Sequence, residues 1–331
     1  MLILNPGTAL FFSTLVTGTL IACSSSSWMT SWLGLELNLL SFIPLISLNQ
    51  NSFYSEAALK YFLVQAMSSA IMLTGAIMLI LKQVQPKLVI VLSLLLKMGA
   101  APFHFWLPQI MQGISWMHCI ILMTIQKIAP MALISYTLSE ETHMLIMGAS
   151  MMSALFGGLG GLNQTLLRKV MAFSSINHMS WMLAAMLTSK ALWVNYLLVY
   201  SIVSASIALM FNMNQTHHIS QLSSVSLPSK TKIMIFLSMF SLGGLPPFLG
   251  FIPKLSVIKE LSSSNHILWL LVLVLGALMT LFFYTRMMIS ALTLSAPKTQ
   301  MSLIKNNHLM SLLTLINLVS IFMPLTIMAP L

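Results

Sequence analysis

Glu36, Lys97, Lys127 and Lys254 stand inside long apolar runs of a 331-residue chain in which only 6% of positions are charged and all five acidic residues are glutamates. Typical soluble domains carry about 25% charged residues. An ionisable side chain at bilayer depth costs roughly 2.5–3.5 kcal/mol on insertion scales, so one retained there is a candidate for function. Three lysines and a carboxylate at such depth suit the movement of protons or cations, because an amine's hold on its proton responds to desolvation and to neighbouring charge. At about 4 Å and an effective dielectric of about 20, a Glu–Lys pair is worth about 4 kcal/mol, so changing that distance loads or unloads a proton. Glu36 is the one carboxylate expected at this depth, which makes a Glu36–Lys97 pair the leading expectation. The spacing alone does not say which lysine it faces. The static alternative for each lysine is a fixed ion pair or a contact with freed backbone carbonyls.

The elements that must hold these groups are membrane helices. Hydrophobic residues make up 58% of the chain, and the mean hydropathy is +0.93. That composition marks a polytopic all-α membrane protein. The net charge of +10 does not indicate nucleic-acid binding, because the basic residues form no stripe and many sit at segment ends. Cys23 and Cys119 have neither the number nor the spacing for zinc or an iron–sulfur cluster. MLILNPGTALFF reads as the start of a first membrane helix and not as a leader. A chain so apolar with no targeting segment is expected to be bacterial or made inside an organelle.

A span needs about 20 apolar residues. Eleven are expected, at about 3–23, 26–48, 55–81, 87–112, 115–137, 143–162, 166–188, 191–213, 231–262, 266–294 and 308–329. Loops are short, leaving one membrane domain over 1–331. Eight Lys and Arg, among them Lys60, Arg168, Lys169, Lys232, Lys298 and Lys305, fall on one side, against Lys82, Lys87, Lys190 and Lys259 on the other. This asymmetry puts the N-terminus inside and, for an odd number of spans, the C-terminus outside. Segments four (LLLKMGAAPFHFWLPQ) and nine (FSLGGLPPFLGFIPKL) carry helix breakers, with Gly99-x-x-Pro102 answering Gly243-x-x-Pro246. The freed backbone groups must face protein or water. Paired broken helices point to a transporter site. Five segments separate the two breaks, so two inverted five-helix repeats are expected, about 3–137 and 143–294, with an extra helix at about 308–329.

Glu36 and Lys97 lie ten residues into their segments and Lys127 and His178 twelve, or roughly 15–18 Å deep at helical rise. Lys254 follows the second break by a turn or two. His178, in SSINHMSWM, is a further candidate for proton transfer beside its reading as a packed hydrogen-bonding residue. His104, in APFHFW, is placed to cap the first break. Glu56 and Lys60 are spaced for an i,i+4 surface pair. His217 and His218 lie in the polar loop 214–232 without further ligands for a metal. The 29 methionines read as filler, and GGLGGLNQ (157–164) as close helix packing. No dinucleotide fingerprint, P-loop or nucleophile motif is present.

WLGLELNLLSFIPL (32–45), EAALKYFLVQA (56–66), LLLKMGAAPFHFW (94–106), QKIAP (126–130), GGLNQTLLRKVMAFSSINHMSWM (160–182) and LGGLPPFLGFIPK (242–254) together resemble a known family. It is the family of subunit 2 chains of animal mitochondrial NADH–ubiquinone oxidoreductase, antiporter-like membrane subunits of respiratory complex I. The resemblance covers about residues 15–290. It implies a proton-translocating module whose four ionisable positions map onto Glu36, Lys97, Lys127 and Lys254. It also implies a place in the mitochondrial inner membrane, neighbouring membrane-arm subunits including another antiporter-like one, contact with lipids, and no nucleic acid. Flavin, iron–sulfur clusters and most of the quinone site are implied on other subunits, leaving no cofactor on this chain. High Met and absent Asp fit synthesis from a mitochondrial genome. The alternatives are a stand-alone cation/proton antiporter of the same fold and a non-transporting scaffold.

Overall fold

A computed structural model describes residues 6–48, 51–83, 85–224, 229–246, 248–293 and 307–318. Lys298, Lys305, the part of the eleventh segment beyond Leu318 and part of the polar loop 214–232 lie outside them. Every regular element among the described residues is a helix, and they contain no β-strand, only an isolated bridge between Leu166 and His218. Lipid offers backbone groups no partner, and a helix satisfies them within the segment.

The chain divides at Ser153/Ala154 into two compact units. The first holds α1 (Pro6–Ser24), α2 (Trp28–Ser47), α3 (Ser52–Ile80), α4 (Pro86–Met98), α5 (Trp106–Gly113), α6 (Trp116–Met123) and α7 (Ile125–Tyr136). It also holds the first part of α8 (Glu140–Gly161). The second unit continues with α9 (Leu167–Thr188), α10 (Lys190–Met213), α11 (Ile219–Ser224), α12 (Ser229–Gly243), α13 (Phe251–Ser263), α14 (Ile267–Thr293) and α15 (Asn307–Leu318).

Eight stretches are long and apolar enough to cross a membrane: α1, α2, α3, α6 with α7, α8, α9, α10 and α14. The protein is an all-α multi-pass membrane protein. Segments four and nine each divide into two short helices, and only the first part of segment eleven is described. Eight spans, and not eleven, therefore stand whole among the described residues.

In the first unit α2 packs on α1 and α3, α3 on α4 and α5, and α7 on α1 and α4. In the second unit α9 is the central helix. Within its most apolar window 89% of residues are buried, against 33% for α14. Its many hydroxyls are tolerated because they bond back to their own helix, as Ser174 to the Met171 carbonyl (2.8 Å) and Ser175 to that of Ala172 (2.7 Å). The glycine-rich end of α8 does pack closely: a methyl at Gly157 would lie 2.6 Å from the Asn177 backbone nitrogen of α9.

Both breaks begin alike. α4 ends at Gly99 with φ +70° and α12 just before Gly244 with φ +74°, a left-handed conformation that glycine adopts without steric cost. The residue that turns the chain at the second break is thus Gly244, one later than the Gly243 picked out by the Gly-x-x-Pro spacing. Ala100 donates back to the Leu95 carbonyl (3.1 Å), and Leu245 to that of Phe240 (3.3 Å).

Candidate functional site

A helix end leaves up to four carbonyls without intrahelical donors. At the end of α4 the Gly99 and Ala100 N–H groups turn back to the Leu96 and Leu95 carbonyls, and two side chains from elsewhere add to this support. Gln65 of α3 donates its amide to the Lys97 carbonyl (3.2 Å), and the Trp106 indole at the start of α5 donates to that of Leu96 (3.1 Å). The Lys97 side chain turns into a cavity that Lys127 also lines, together with Asn38, Tyr61, Gln65 and Gln126. The cavity has room for a water molecule. Lys97 and Lys127 are 7% and 2% exposed, and the cavity lining contains no carboxylate.

Lys127 reaches this position because the span 115–137 is itself interrupted. Thr124 breaks the register between α6 and α7, its hydroxyl turning back to the Ile120 carbonyl (2.7 Å). Pro130, inside α7, has no N–H to give to the Gln126 carbonyl. Polar contacts from neighbouring helices converge on this stretch. The Gln126 amide donates to Asn38 Oδ1 of α2 (3.1 Å), and the Tyr61 hydroxyl of α3 lies 3.4 Å from Gln126 Oε1.

Glu36 and Lys97, expected within direct or one-water reach of each other, form no direct ion pair. Their charged atoms lie farther apart than 4.0 Å, the limit within which Glu56 and Lys60 pair at 2.6 Å. Helix period is the reason. On α2 the buried face carries Leu35, Asn38 and Leu39 and the outward face Leu33, Leu37 and Leu40, and Glu36 falls half-buried on the border. Its charge is still near enough to act on both Lys97 and Tyr61.

The second unit holds Lys254 and His178. Lys254, in the first turn of α13, reaches back across the break. Its Nζ donates to the Gly243 carbonyl at the end of α12 (2.8 Å) and lies 5.9 Å from the centre of a Trp181 ring. Both contacts favour a cation, the first through the negative end of a helix and the second through the face of an aromatic ring. On α9, one turn from Trp181, the His178 Nδ1 is 2.9 Å from the Tyr196 hydroxyl, and its ring lies 4.9 Å from that of Tyr200. His178, Tyr196 and Tyr200 line a small cavity with Ser241, Gly250 and Pro253 of the break.

Thus Lys97 and Lys127 meet in one unit, and Lys254 and His178 surround the break of the other. His104 lies within the first break, its ring stacked on Phe105 at 4.3 Å. His217 pairs with Arg168 (Nη2 to Nδ1, 2.9 Å), where the loop after α10 bonds to the start of α9 through Leu167 N–H and the His217 carbonyl (2.9 Å). Burial first, then the charges of Arg168 and His218, hold His217 below the usual imidazole range. No group of three or more His, Cys, Asp or Glu suited to a metal occurs among the described residues. Sequence reasoning missed Asn38, Tyr61, Gln65 and Gln126. Their one signal is that polar residues recur on the buried faces of otherwise apolar segments.

Residues 25–85 and 80–280 match the family model described as NADH:quinone oxidoreductase/Mrp antiporter, TM. The chain is 47% identical over 324 residues to NADH-ubiquinone oxidoreductase chain 2 of Anopheles gambiae, covering 94% of each chain. It is 46% identical over 325 residues to the same-named protein of Aedes aegypti, again covering 94% of each. Its fold is similar to a chain in the structure of respiratory complex I from Thermus thermophilus with bound Aureothin, with a TM-score of 0.82 at 22% identity over 95% of this chain and 77% of that one. Full-length identity at this level, together with the antiporter-type family model, settles the kinship: the chain belongs to the NADH-ubiquinone oxidoreductase chain 2 family, the antiporter-like membrane subunits of complex I.

Proposed function

We propose that the chain translocates protons as a subunit of the membrane arm of mitochondrial NADH–ubiquinone oxidoreductase, moving them along buried Glu and Lys residues and water in response to quinone reduction elsewhere in the complex. The cavity shared by Lys97 and Lys127 carries this reading. Two lysines that share a water-sized space repel when both are charged, so a proton arriving on one favours release from the other. Glu36 biases Lys97 from the edge of α2. Lys254 and His178 continue the path in the second unit. Segments 1–5 and 6–10 are inverted repeats in this reading, with segment 11 as an extra helix.

The redox groups, flavin, iron–sulfur clusters and quinone, belong to other subunits, and this chain contributes to the reductase without a redox site of its own. Its partners are neighbouring membrane-arm subunits, another antiporter-like subunit among them, and lipid. The N-terminus lies on the matrix side of the inner membrane and the C-terminus on the intermembrane side, as the distribution of Lys and Arg supports.

Lys127→Met tests the reading, because methionine is similar in length and better tolerated by lipid. Assembled complex carrying it, reconstituted in vesicles, is expected to move fewer protons per electron while oxidising NADH with artificial acceptors at the normal rate. A normal proton yield would overturn the assignment of Lys127 to the path.

A further inference from the structure

Glu36 acts on Lys97 without lining the cavity that Lys97 shares with Lys127. Something must therefore hold α2 at a set distance from the helices that carry Lys127 and Lys97. Backbone packing does this only indirectly for α7, since α2 packs mainly on α1 and α3. The direct link is made of side chains. Asn38, two residues after Glu36, accepts from Gln126 (3.1 Å), the residue just before Lys127. Gln126 in turn lies against the Tyr61 hydroxyl (3.4 Å), and one helical turn along α3 Gln65 holds the Lys97 carbonyl (3.2 Å). Asn38, Tyr61, Gln65 and Gln126 all line the cavity. None of them can hold a net charge near neutral pH, so their part is to fix distance and orient water.

We propose that Asn38 and Gln126 are positioning residues: their amide–amide contact joins the helix of Glu36 to the helix of Lys127 and sets the electrostatic coupling between the carboxylate and Lys97, which shares its cavity with Lys127. The inference rests on the lysine cavity being the proton-transfer site. Electrostatic coupling falls with distance and is steepest at short range, so a small displacement of α2 changes how firmly the lysines hold a proton. An apolar pair of the same size would pack the two helices as well but would leave their distance less sharply defined.

The test uses assembled complex in vesicles, with proton yield per electron measured against pH. Gln126→Asn keeps the amide but is one methylene too short to reach Asn38. It is expected to move the alkaline limb of the profile to lower pH by about half a unit to one unit and to lower the maximal yield about threefold. The double exchange Asn38→Gln with Gln126→Asn restores the combined length and is expected to return the limb to its wild-type position. A purely structural role would lower the amount of assembled complex without moving the limb. An unmoved limb in Gln126→Asn overturns the proposal, and so does a shift that the double exchange fails to reverse. Lys127→Met, run alongside, separates the two readings. A normal yield in that variant removes the proton-transfer site itself. A reduced yield there, with a wild-type limb in Gln126→Asn, removes only the positioning role.

Discussion

The two broken helices solve the same backbone problem with different side chains. At the end of α4 the freed carbonyl of Lys97 is taken by Gln65, and Trp106 reinforces that of Leu96, which also accepts from the Gly99 N–H; neither side chain is ionisable in the working pH range. At the end of α12 the Gly243 carbonyl is taken by Lys254 itself. A lysine relieved of the backbone can give its amine to the cavity, whereas one that caps the backbone is tied to it. The first break thus separates structural support from charge chemistry, and the second combines them in a single residue. Lys97 precedes its break and Lys254 follows its own, so the likeness between the two lies in the glycine turn and not in the position of the amine.

This contrast can be broken at several points. The largest stability effect is expected from Lys254→Met, which leaves the buried Gly243 carbonyl without its donor. An orphaned buried acceptor costs about 1–3 kcal/mol, measurable as a lower denaturation midpoint of the solubilised complex. Arginine, which also donates but is bulkier, should recover part of the loss. If Lys254→Met were as stable as the parent, the capping role would be wrong. Gln65→Leu should cost less, about 1–2 kcal/mol, because only the support of Lys97 is lost while the amine remains. A loss equal to that of Lys254→Met would erase the distinction between the breaks.

The glycine turns separate the two sites further. Gly99→Ala and Gly244→Ala both force alanine into a left-handed turn, at about 1 kcal/mol each. At Gly244 the new methyl would also lie 2.9 Å from the Lys254 Cδ, so this substitution should disturb proton transfer where Gly99→Ala affects mainly stability. Equal proton yields in the two variants would count against the coupling of turn and amine at the second break.

The smallest effect lies outside the membrane. His217 accepts from Arg168, and its proton affinity is depressed in the folded chain, chiefly by burial. The unfolded chain therefore takes up the proton first as pH falls. The contact contributes fully above the ordinary imidazole value of about 6.5 and weakens as pH drops below it. His217→Ala should flatten the acid-side dependence of the denaturation midpoint, and an unchanged slope would show that another group titrates there.

Much of this was legible in the sequence. The apolar segments, both interruptions and the ionisable residues within them stand out because lipid penalises charge and freed backbone so heavily. The i,i+4 pair of Glu56 and Lys60 and the close packing at Gly157 followed from local spacing alone. Glu36 makes no direct ion pair with Lys97 because depth along a helix does not give the direction of a side chain around it. Ten residues into α2, Glu36 sits at the border of the buried face and not in it. Asn38, Gln126 and Gln65 were not legible as a set, since their partners lie 88 and 32 residues away in sequence and neutral amides draw no attention by charge.

The central claim is that Lys97 is free for proton transfer because other residues support its break. Proton yield per electron and denaturation midpoint, both measured on assembled complex carrying Lys97→Met, test it most directly. The account predicts a proton yield reduced at least about threefold, about 0.7 kcal/mol in coupling, with a midpoint close to that of the parent. A normal yield, or a midpoint lowered as far as in Lys254→Met, would contradict it.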